Sequence, residues 1–270
     1  MRTRIISGIV LVLLLALVLF AGSFFPPVIT AFLAVLCVIA LYELLHNAFG
    51  IRPRLPLIAA GVYAVVSVFV LGGYTVPLPK GLDPFTVATV LYATFSAVLI
   101  LGYHKRFELK QIAALISMPI VLCFAFGCLE KILNRENSLY YLLLLLNYSS
   151  ICDMGAYFAG TAFGKHKLCP GISPKKTVEG AIGGVAASLL VTVVLCLIFR
   201  KTMIVPLVVT LPLCVLGMVG DLFASAIKRA AGIKDYGKLI PGHGGVLDRL
   251  DSILMLAPCV ALLILAGVLA

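Results

Sequence analysis

Long apolar segments, separated by short polar ones, follow one another along most of the chain. A helix needs about 20 mostly apolar residues to cross the hydrocarbon core of a bilayer. Nine segments of roughly 18 to 25 such residues can be recognised, and they are 5–25, 27–46, 56–75, 85–103, 110–129, 138–161, 178–199, 203–229 and 252–270. The pattern therefore predicts an all-α, polytopic integral membrane protein with about nine transmembrane helices.

Composition agrees with a membrane protein. Hydrophobic residues make up 62% of the chain, charged residues 12%, and the mean hydropathy is +1.16, which lies outside the range of soluble domains. The eight cysteines form no CxxC pair and lie mostly in apolar segments, so we expect small buried side chains rather than disulfides or metal ligands. The first apolar segment is long enough to be an uncleaved span rather than a signal peptide.

The distribution of basic residues predicts the orientation in the membrane. Nine spans place the amino terminus and every second loop on one side, and these segments carry 16 of the 21 Lys and Arg, against 5 on the other side. Because Lys and Arg are enriched in cytoplasmic loops, we expect a cytoplasmic amino terminus and cytoplasmic polar loops at 162–177 and 230–251. The basic residues form no continuous face, which argues against nucleic-acid binding.

The richest polar stretch runs from Asp221 to Asp251. Helical spacing puts a carboxylate, a hydroxyl and an ammonium on one face at its start, with Asp221, Ala224, Ser225 and Lys228. The next stretch, 231–245, has too many Gly and Pro residues for a helix and suits a backbone that folds closely around a ligand. It leads to Asp248, Arg249 and Asp251 at the mouth of the last apolar segment, where Asp248 could meet Asp221.

A second polar stretch runs from Asp153 to Gly180. Asp153 lies twelve residues before Lys165, roughly 18 Å along a helix, which places a carboxylate well inside the bilayer. An ionisable residue at that depth indicates function by default. Farther on, Ser173, Lys175, Lys176 and Thr177 open the seventh span, where a helix start, two lysines and two hydroxyls favour an anion site.

Carboxylates among lysines and arginines supply the groups needed for a divalent metal and phosphates. Each of these groups of residues also has a simpler interpretation that involves no chemistry. The charges could be solvated at the interface, Asp153 could bond Tyr157 or a neighbouring helix, and the Lys175 segment could be an ordinary cap. Glu179 fits a helix-dipole residue better than a base. Glu43 could either touch the site or lie near a helix end as a snorkelling group.

The residues also resemble those of a known family. The pattern Ser225-x-Ile-Lys228-Arg229-x4-Lys234-Asp235-x-Gly237-x3-Pro241-x-His243-Gly244-Gly245-x2-Asp248-Arg249-x-Asp251 is similar to the signature of the phosphatidate cytidylyltransferases, also called CDP-diacylglycerol synthases. The segments D-x-G-A-Y-x-x-G at Asp153 and S-P-K-K-T-x-E-G at Ser173 resemble the same family. In the first five spans the resemblance is only general.

The resemblance implies transfer of CMP from CTP to phosphatidic acid, giving CDP-diacylglycerol and pyrophosphate. From the residues themselves, Asp221 and Asp248 are the expected ligands of Mg²⁺, and Asp153 and Asp251 could hold a second cation or orient the first ligands. Catalytic roles are expected for Asp153, Lys228, Arg229 and Asp248. Substrate binding is expected for Ser173, Lys175, Lys176, Thr177, Ser225, Lys234, Asp235, His243, Gly244, Gly245, Arg249 and Asp251.

The chain is expected to divide by role. Residues 1–137, spans 1 to 5, would embed the protein among membrane lipids and could pack in a homodimer, while residues 138–270 would carry the chemistry. The compact chain favours a bacterial cytoplasmic (inner) membrane with the active site facing the cytoplasm. Three alternatives are weaker. A lipid or polyprenol kinase would use similar groups, an anion transporter predicts repeated halves that the sequence lacks, and a scaffold has no need of intramembrane carboxylates.

Overall fold

Apolar segments become helices and the polar stretches become turns and a small hairpin. The computed structural model describes residues 2–75, 78–79 and 81–269. The ten α-helices are α1 (Arg2–Phe24), α2 (Pro27–Tyr42), α3 (Arg54–Leu71), α4 (Pro84–Gly102), α5 (Leu109–Leu133), α6 (Ser138–Leu146), α7 (Cys152–Phe163), α8 (Val178–Ile198), α9 (Ile204–Ala230) and α10 (Leu247–Leu265). Short π-helical segments follow α2 (Glu43–Ala48) and α6 (Asn147–Ile151).

Eight helices of the described residues are long and apolar enough to cross a membrane, and they match the first eight predicted spans. The all-α, multi-pass prediction is therefore confirmed. The predicted ninth span, 252–270, corresponds to α10, which begins and ends five residues earlier (Leu247–Leu265). This helix is not among the eight whose length and apolar composition suffice to cross a membrane. Its first turns carry Asp248, Arg249 and Asp251, so its apolar part is short. The side of the membrane on which the amino terminus lies stays a prediction.

The chain folds into two units. Unit 1 comprises residues 1–134 and 231–249, and unit 2 comprises residues 135–230 and 250–270. The division at residue 134 falls close to the predicted boundary at 137, but the glycine-rich loop, residues 231–245, belongs to the amino-terminal unit. The two units are defined by contacts between residues. That one part of the chain embeds the protein and the other carries the chemistry stays a prediction.

Unit 1 packs α2, α3 and α5 through small buried side chains. Cys37, Ala64 and Cys123 are fully buried where these helices meet. Tyr63 of α3 stacks on Tyr92 of α4 with ring centroids 4.4 Å apart, and the Tyr92 hydroxyl donates to the Leu115 carbonyl of α5 at 2.6 Å. Stacked rings with a satisfied hydroxyl suit an apolar interior, so this contact ties three helices together.

Unit 2 rests on close contact between α7 and α8. An added methyl on Gly184 of α8 would lie 2.5 Å from the Cys152 carbonyl oxygen, and one on Gly155 of α7 would lie 3.1 Å from Gly184 Cα. Small residues at such seams let helix backbones approach each other in membranes. Nearby, the buried Asn147 amide donates to the Ser188 carbonyl at 3.1 Å and to the Thr192 hydroxyl at 3.0 Å, so the π-helical segment is fixed to α8.

A two-stranded antiparallel hairpin joins α7 to α8. Strand β1 (Lys167–Cys169) pairs with β2 (Ser173–Thr177), with Lys167 opposite Thr177. Thr177 caps α8, because its hydroxyl accepts a hydrogen bond from the Gly180 N–H at 3.1 Å. The predicted N-cap is thus confirmed, and it fixes where β2 ends.

Candidate active site

Two carboxylates and a lysine from three elements of unit 2 meet beside the hairpin. Lys176 of β2 extends its ammonium to 2.5 Å from Asp221 Oδ2 of α9 and 3.9 Å from Asp153 Oδ1 of α7. The side chains of Lys176 and Asp221 are 23% and 26% exposed, and that of Asp153 is 45% exposed. Three residues singled out from separate parts of the sequence therefore form one charged cluster.

The two lysines of β2 differ in exposure. Lys176, which joins the cluster, is half-buried, while its neighbour Lys175 is exposed. Thr177 then caps α8 and lies against Gly160 and Gly164 of the preceding segment, where an added methyl would crowd its hydroxyl at 2.8 and 2.9 Å. The tight backbone contact holds Lys176 at the end of a rigid strand.

Glu179 ties the segment after α7 to the start of α8. Its carboxylate accepts hydrogen bonds from the backbone N–H groups of Lys165 and His166, at 3.1 and 3.2 Å, and contacts His166 Nδ1 at 2.6 Å. A carboxylate in the first turn also suits the helix dipole, as the sequence indicated. The bonds to the preceding segment are a further role, which the helix periodicity could not reveal.

On α9, the predicted stripe has the burial expected of one shared face. Ala224 and Lys228 are buried, Asp221 and Ser225 are half-buried, and Arg229 is exposed. A buried lysine is rare unless it is paired, and Lys228 does have an interaction partner. The stripe thus places three polar groups along one side of α9 in unit 2.

The glycine-rich loop of unit 1 folds into a compact turn. Ile240 and Gly244 exchange two backbone hydrogen bonds, at 2.8 and 3.1 Å. Gly242 and Gly244 have φ values of +79° and +89°, a conformation that residues with a side chain rarely adopt. The two glycines therefore permit the turn that the sequence predicted only as a loop.

A polar cleft of about 540 Å³ lies in this loop. It is lined by Lys234, Asp235, Gly237, Lys238, Ile240, Gly242, His243, Gly244 and Arg249. Three of these side chains are cations and one is an acid, and the volume is within the range of small-molecule sites. The predicted residues Lys234, Asp235, His243, Gly244 and Arg249 are thus brought together. Lys238 was predicted only as one of the basic loop residues, because its position lies outside the spacing that drew attention to the others.

His243 is held by a residue that sequence reasoning did not single out. Its Nδ1 lies 2.8 Å from the hydroxyl oxygen of Ser7 in α1, and that hydroxyl donates to the Pro241 carbonyl at 3.0 Å. The contact with Ser7 uses Nδ1, so Nε2 is the ring nitrogen left for a different partner.

Asp248 is buried at the start of α10 and is bonded to the loop. Its Oδ2 accepts hydrogen bonds from the backbone N–H groups of Tyr236 at 2.8 Å and Gly245 at 3.0 Å. These two bonds fix the orientation of the Asp248 carboxylate within unit 1. Asp251, one turn later, is half-buried, and its Oδ1 accepts a hydrogen bond from the Ser252 N–H at 2.7 Å.

Glu43 is a second buried carboxylate beside the same loop. It accepts hydrogen bonds from the Val246 N–H at 3.1 Å and the Leu247 N–H at 2.9 Å. The sequence left open whether Glu43 touches the site or only lies near a helix end, and the structure places it against the loop. In the sequence, the only sign of this contact with the loop is that Glu43 is a carboxylate within an apolar segment.

The charged cluster has donors that fit Mg²⁺. Among the described residues no group of three or more His, Cys, Asp or Glu side chains could hold a metal ion. Mg²⁺ in phosphate-transferring sites commonly takes only one or two carboxylates, with water and substrate phosphates completing its shell, and Asp153 and Asp221 can supply these. The prediction that Asp221 and Asp248 share the ion stays a prediction, since the two residues belong to different units.

A larger cavity of about 580 Å³ in unit 1 has a different character. It lies along α3 and α4 and is lined by apolar and tyrosine side chains, among them Val62, Val66 and Leu91. Such a lining suits hydrocarbon and offers no cation for a phosphate group. The polar cleft, rather than this groove, is the candidate for binding an anionic substrate.

Comparison with known proteins agrees with these features. The Cytidylyltransferase family profile matches residues 2–266. A phosphatidate cytidylyltransferase from Staphylococcus haemolyticus is 31% identical over 98% of this chain and 99% of its own length. Its counterparts from Staphylococcus aureus and Staphylococcus epidermidis are each 32% identical over the same shares. Over nearly its whole length, therefore, the chain belongs to the cytidylyltransferase family.

Proposed function

We propose that this protein transfers CMP from CTP to phosphatidic acid, giving CDP-diacylglycerol and pyrophosphate. The proposal rests above all on the cationic cleft in the glycine-rich loop, where Lys234, Lys238 and Arg249 surround a volume suited to a nucleotide. Its lining residues belong to the segment whose pattern resembles the family signature. The curated relatives that match the full chain act, by their names, on phosphatidate.

The reaction needs no strong base. A phosphate oxygen of phosphatidate, already an anion, attacks the α-phosphorus of CTP, and the bond between the α-phosphorus and the bridging oxygen breaks as pyrophosphate leaves. The requirements are in-line positioning and neutralisation of charge. Lysine and arginine side chains supply both, because they bind phosphoryl oxygens as fixed positive charges.

Each unit contributes groups of the required kind. In unit 1, the Lys234, Lys238 and Arg249 side chains bind the phosphates of CTP, and His243, held by Ser7, presents its remaining ring nitrogen. In unit 2, Lys175, Lys176, Lys228 and Arg229 supply cations for the lipid phosphate and the triphosphate.

Mg²⁺ is the expected cofactor. Asp221 would hold it, with Asp248 as the second predicted ligand and Asp153 orienting the group or binding a second cation. When bound, the ion would neutralise phosphate charge and draw electron density from the α-phosphorus. Lys176 occupies the space beside Asp153 and Asp221, so its ammonium is placed to move from carboxylate to phosphate as substrate and metal bind.

The membrane setting fits a lipid acceptor. Among the described residues, eight helices are long and apolar enough to cross a membrane, which suits an enzyme whose lipid substrate resides in the bilayer. The asymmetry of 16 against 5 basic residues supports a cytoplasmic site, and the cytoplasm contains CTP. We place the protein in a bacterial cytoplasmic membrane, in keeping with its staphylococcal relatives. Homodimer packing through spans 1 to 5 is a further expectation.

Pyrophosphate release by the purified protein in detergent tests this proposal. CTP is compared with ATP, phosphatidic acid with diacylglycerol, and each pair is measured with and without Mg²⁺. Release is expected only when CTP, phosphatidic acid and Mg²⁺ are all present. Pyrophosphate formation with ATP at the same rate, or with diacylglycerol in place of phosphatidic acid, would contradict the proposal.

A further inference from the structure

Glu43 and Asn47 lie four residues apart on the π-helical segment that follows α2, distant in sequence from the glycine-rich loop. Glu43 is 4% exposed, and its two carboxylate oxygens accept hydrogen bonds from successive backbone N–H groups, those of Val246 and Leu247. These groups belong to the start of α10, where N–H groups lack partners within the helix. Glu43 therefore caps α10 from another element.

The close contact extends to two glycines of the loop. A methyl group added to Gly237 or to Gly245 would collide with the Glu43 carboxylate. Gly237 precedes the turn closed by Ile240 and Gly244, and Gly245 follows it. The Glu43 carboxylate therefore lies against both arms of the glycine-rich loop. Their lack of side chains is what lets a buried carboxylate reach the backbone here.

Asn47 holds the same loop at a second point. Its side-chain amide donates to the Tyr236 carbonyl oxygen at 2.6 Å. The N–H of Tyr236 in turn donates to Asp248 Oδ2, and so does the N–H of Gly245. The backbone N–H groups of Tyr236 and Gly245, which help to orient the Asp248 carboxylate, thus belong to residues that lie against Asn47 and Glu43.

We infer that Glu43, assisted by Asn47, is a positioning residue that holds Asp248 and the cationic cleft in their working geometry. This role rests on the proposed function, for which Asp248 is a predicted metal ligand. Glu43 itself reaches backbone N–H groups and so acts through the loop rather than on substrate. π-Helical turns inside α-helices are frequent at functional sites, and this one presents Glu43 and Asn47 together.

The test compares two buried glutamates of unit 1. Glu43→Gln keeps the size of the side chain but sets an amide N–H₂ against a backbone N–H, so one of the two hydrogen bonds is lost. Glu130→Gln is the matched control, since Glu130 is 1% exposed and contacts Thr30 and Asn134 instead of the loop. Asn47→Ala is a milder second variant that leaves Glu43 intact.

Two measurements are made on each protein in detergent. Hydrogen exchange followed by mass spectrometry reports protection of residues 236–247, and CMP transfer reports kcat, KM for CTP and the half-activating Mg²⁺ concentration. For Glu43→Gln we expect faster exchange confined to this segment, a kcat lowered about 10- to 100-fold, and a higher half-activating Mg²⁺ concentration. Asn47→Ala should shift the same quantities less, and Glu130→Gln should leave the Mg²⁺ dependence at its wild-type value.

Unchanged exchange at 236–247 in Glu43→Gln would overturn the inference, whatever the activity. So would equal losses in Glu43→Gln and Glu130→Gln with the same Mg²⁺ dependence, since these would indicate a general loss of folding. If the wild-type protein itself transferred no CMP, the proposed function would fail and the positioning role with it. The exchange data would still show whether Glu43 holds the loop, so the two failures are distinguishable.

Discussion

The Lys176 ammonium lies 2.5 Å from the Asp221 carboxylate, although the two residues come from a hairpin and a helix 45 positions apart in the sequence. Asp153 is the next carboxylate, 3.9 Å from the same ammonium. One lysine thus balances two acids that a metal ion could also balance. The arrangement links α7, the hairpin and α9 of unit 2 in a single electrostatic cluster.

Replacement of Lys176 by Met should be far more damaging than replacement of its neighbour. Lys176→Met removes the positive charge between Asp153 and Asp221 and leaves like charges unbalanced, so CMP transfer should fall at least about tenfold, as expected for a charged hydrogen bond. Lys175→Met removes an exposed charge that solvent screens, and its effect should be several-fold smaller. Rates of CMP transfer at saturating CTP decide between them. Equal losses would show that the Lys176 pairing has no special role.

The cap of α8 should contribute measurably to stability. Thr177→Ala deletes the hydroxyl that accepts from the Gly180 N–H and should lower the free energy of unfolding by about 1 kcal/mol. Thr177→Ser keeps the acceptor and should stay close to wild type. Thermal unfolding in detergent provides the comparison. A Ser variant as unstable as the Ala variant would assign the effect to the lost methyl group instead of the cap.

The glycine seam between α7 and α8 should not accept a side chain. Gly184→Ala would place a methyl group 2.5 Å from the Cys152 carbonyl oxygen, so the helices must separate, at a cost of about 1–3 kcal/mol. Gly171→Ala, in the hairpin turn, meets nothing within 4 Å and serves as the control. Lower melting temperature and lower activity are expected for the first variant alone. Normal stability of Gly184→Ala would contradict the close approach.

Removal of Mg²⁺ should abolish CMP transfer, and added Mg²⁺ should restore it. Asp221→Asn keeps the shape of a predicted ligand but loses its charge, so the half-activating Mg²⁺ concentration should rise about tenfold or more. Asp83→Asn is the control, because Asp83 caps α4 through the Thr86 N–H at 2.8 Å and is not among the predicted site residues. Titration of activity with Mg²⁺ distinguishes the variants. A wild-type titration curve for Asp221→Asn would remove Asp221 from the metal site.

The sequence predicts the helices well because membrane crossing demands long apolar segments, whatever the details of packing. It fails at α10, where the pattern predicts a helix that begins only after Asp248, Arg249 and Asp251, whereas α10 includes them. A helix can begin among charged residues when distant groups cap it, as Glu43 does here. Capping from a residue 203 positions away leaves no trace in the local pattern.

Site residues were predictable where spacing or an unusual location exposed them. Asp153 and Asp221 stand out as carboxylates in apolar helices, and Lys176 stands out as one of two lysines at a predicted helix start. Ser7, Lys238 and the full role of Glu43 depend on how the glycine-rich loop folds against α1 and the segment after α2. A hydroxyl in an amino-terminal span has no local feature that distinguishes it from a packing residue.

The fate of labelled phosphorus tests the central claim most directly. Wild-type protein and Asp248→Asn are incubated with phosphatidic acid, Mg²⁺ and CTP labelled either at the α- or at the γ-phosphorus, and the lipids are separated. We expect that wild-type protein transfers the α-label to lipid, that the γ-label leaves in pyrophosphate, and that Asp248→Asn transfers neither. Entry of the γ-label into lipid would identify a kinase and contradict cytidylyl transfer.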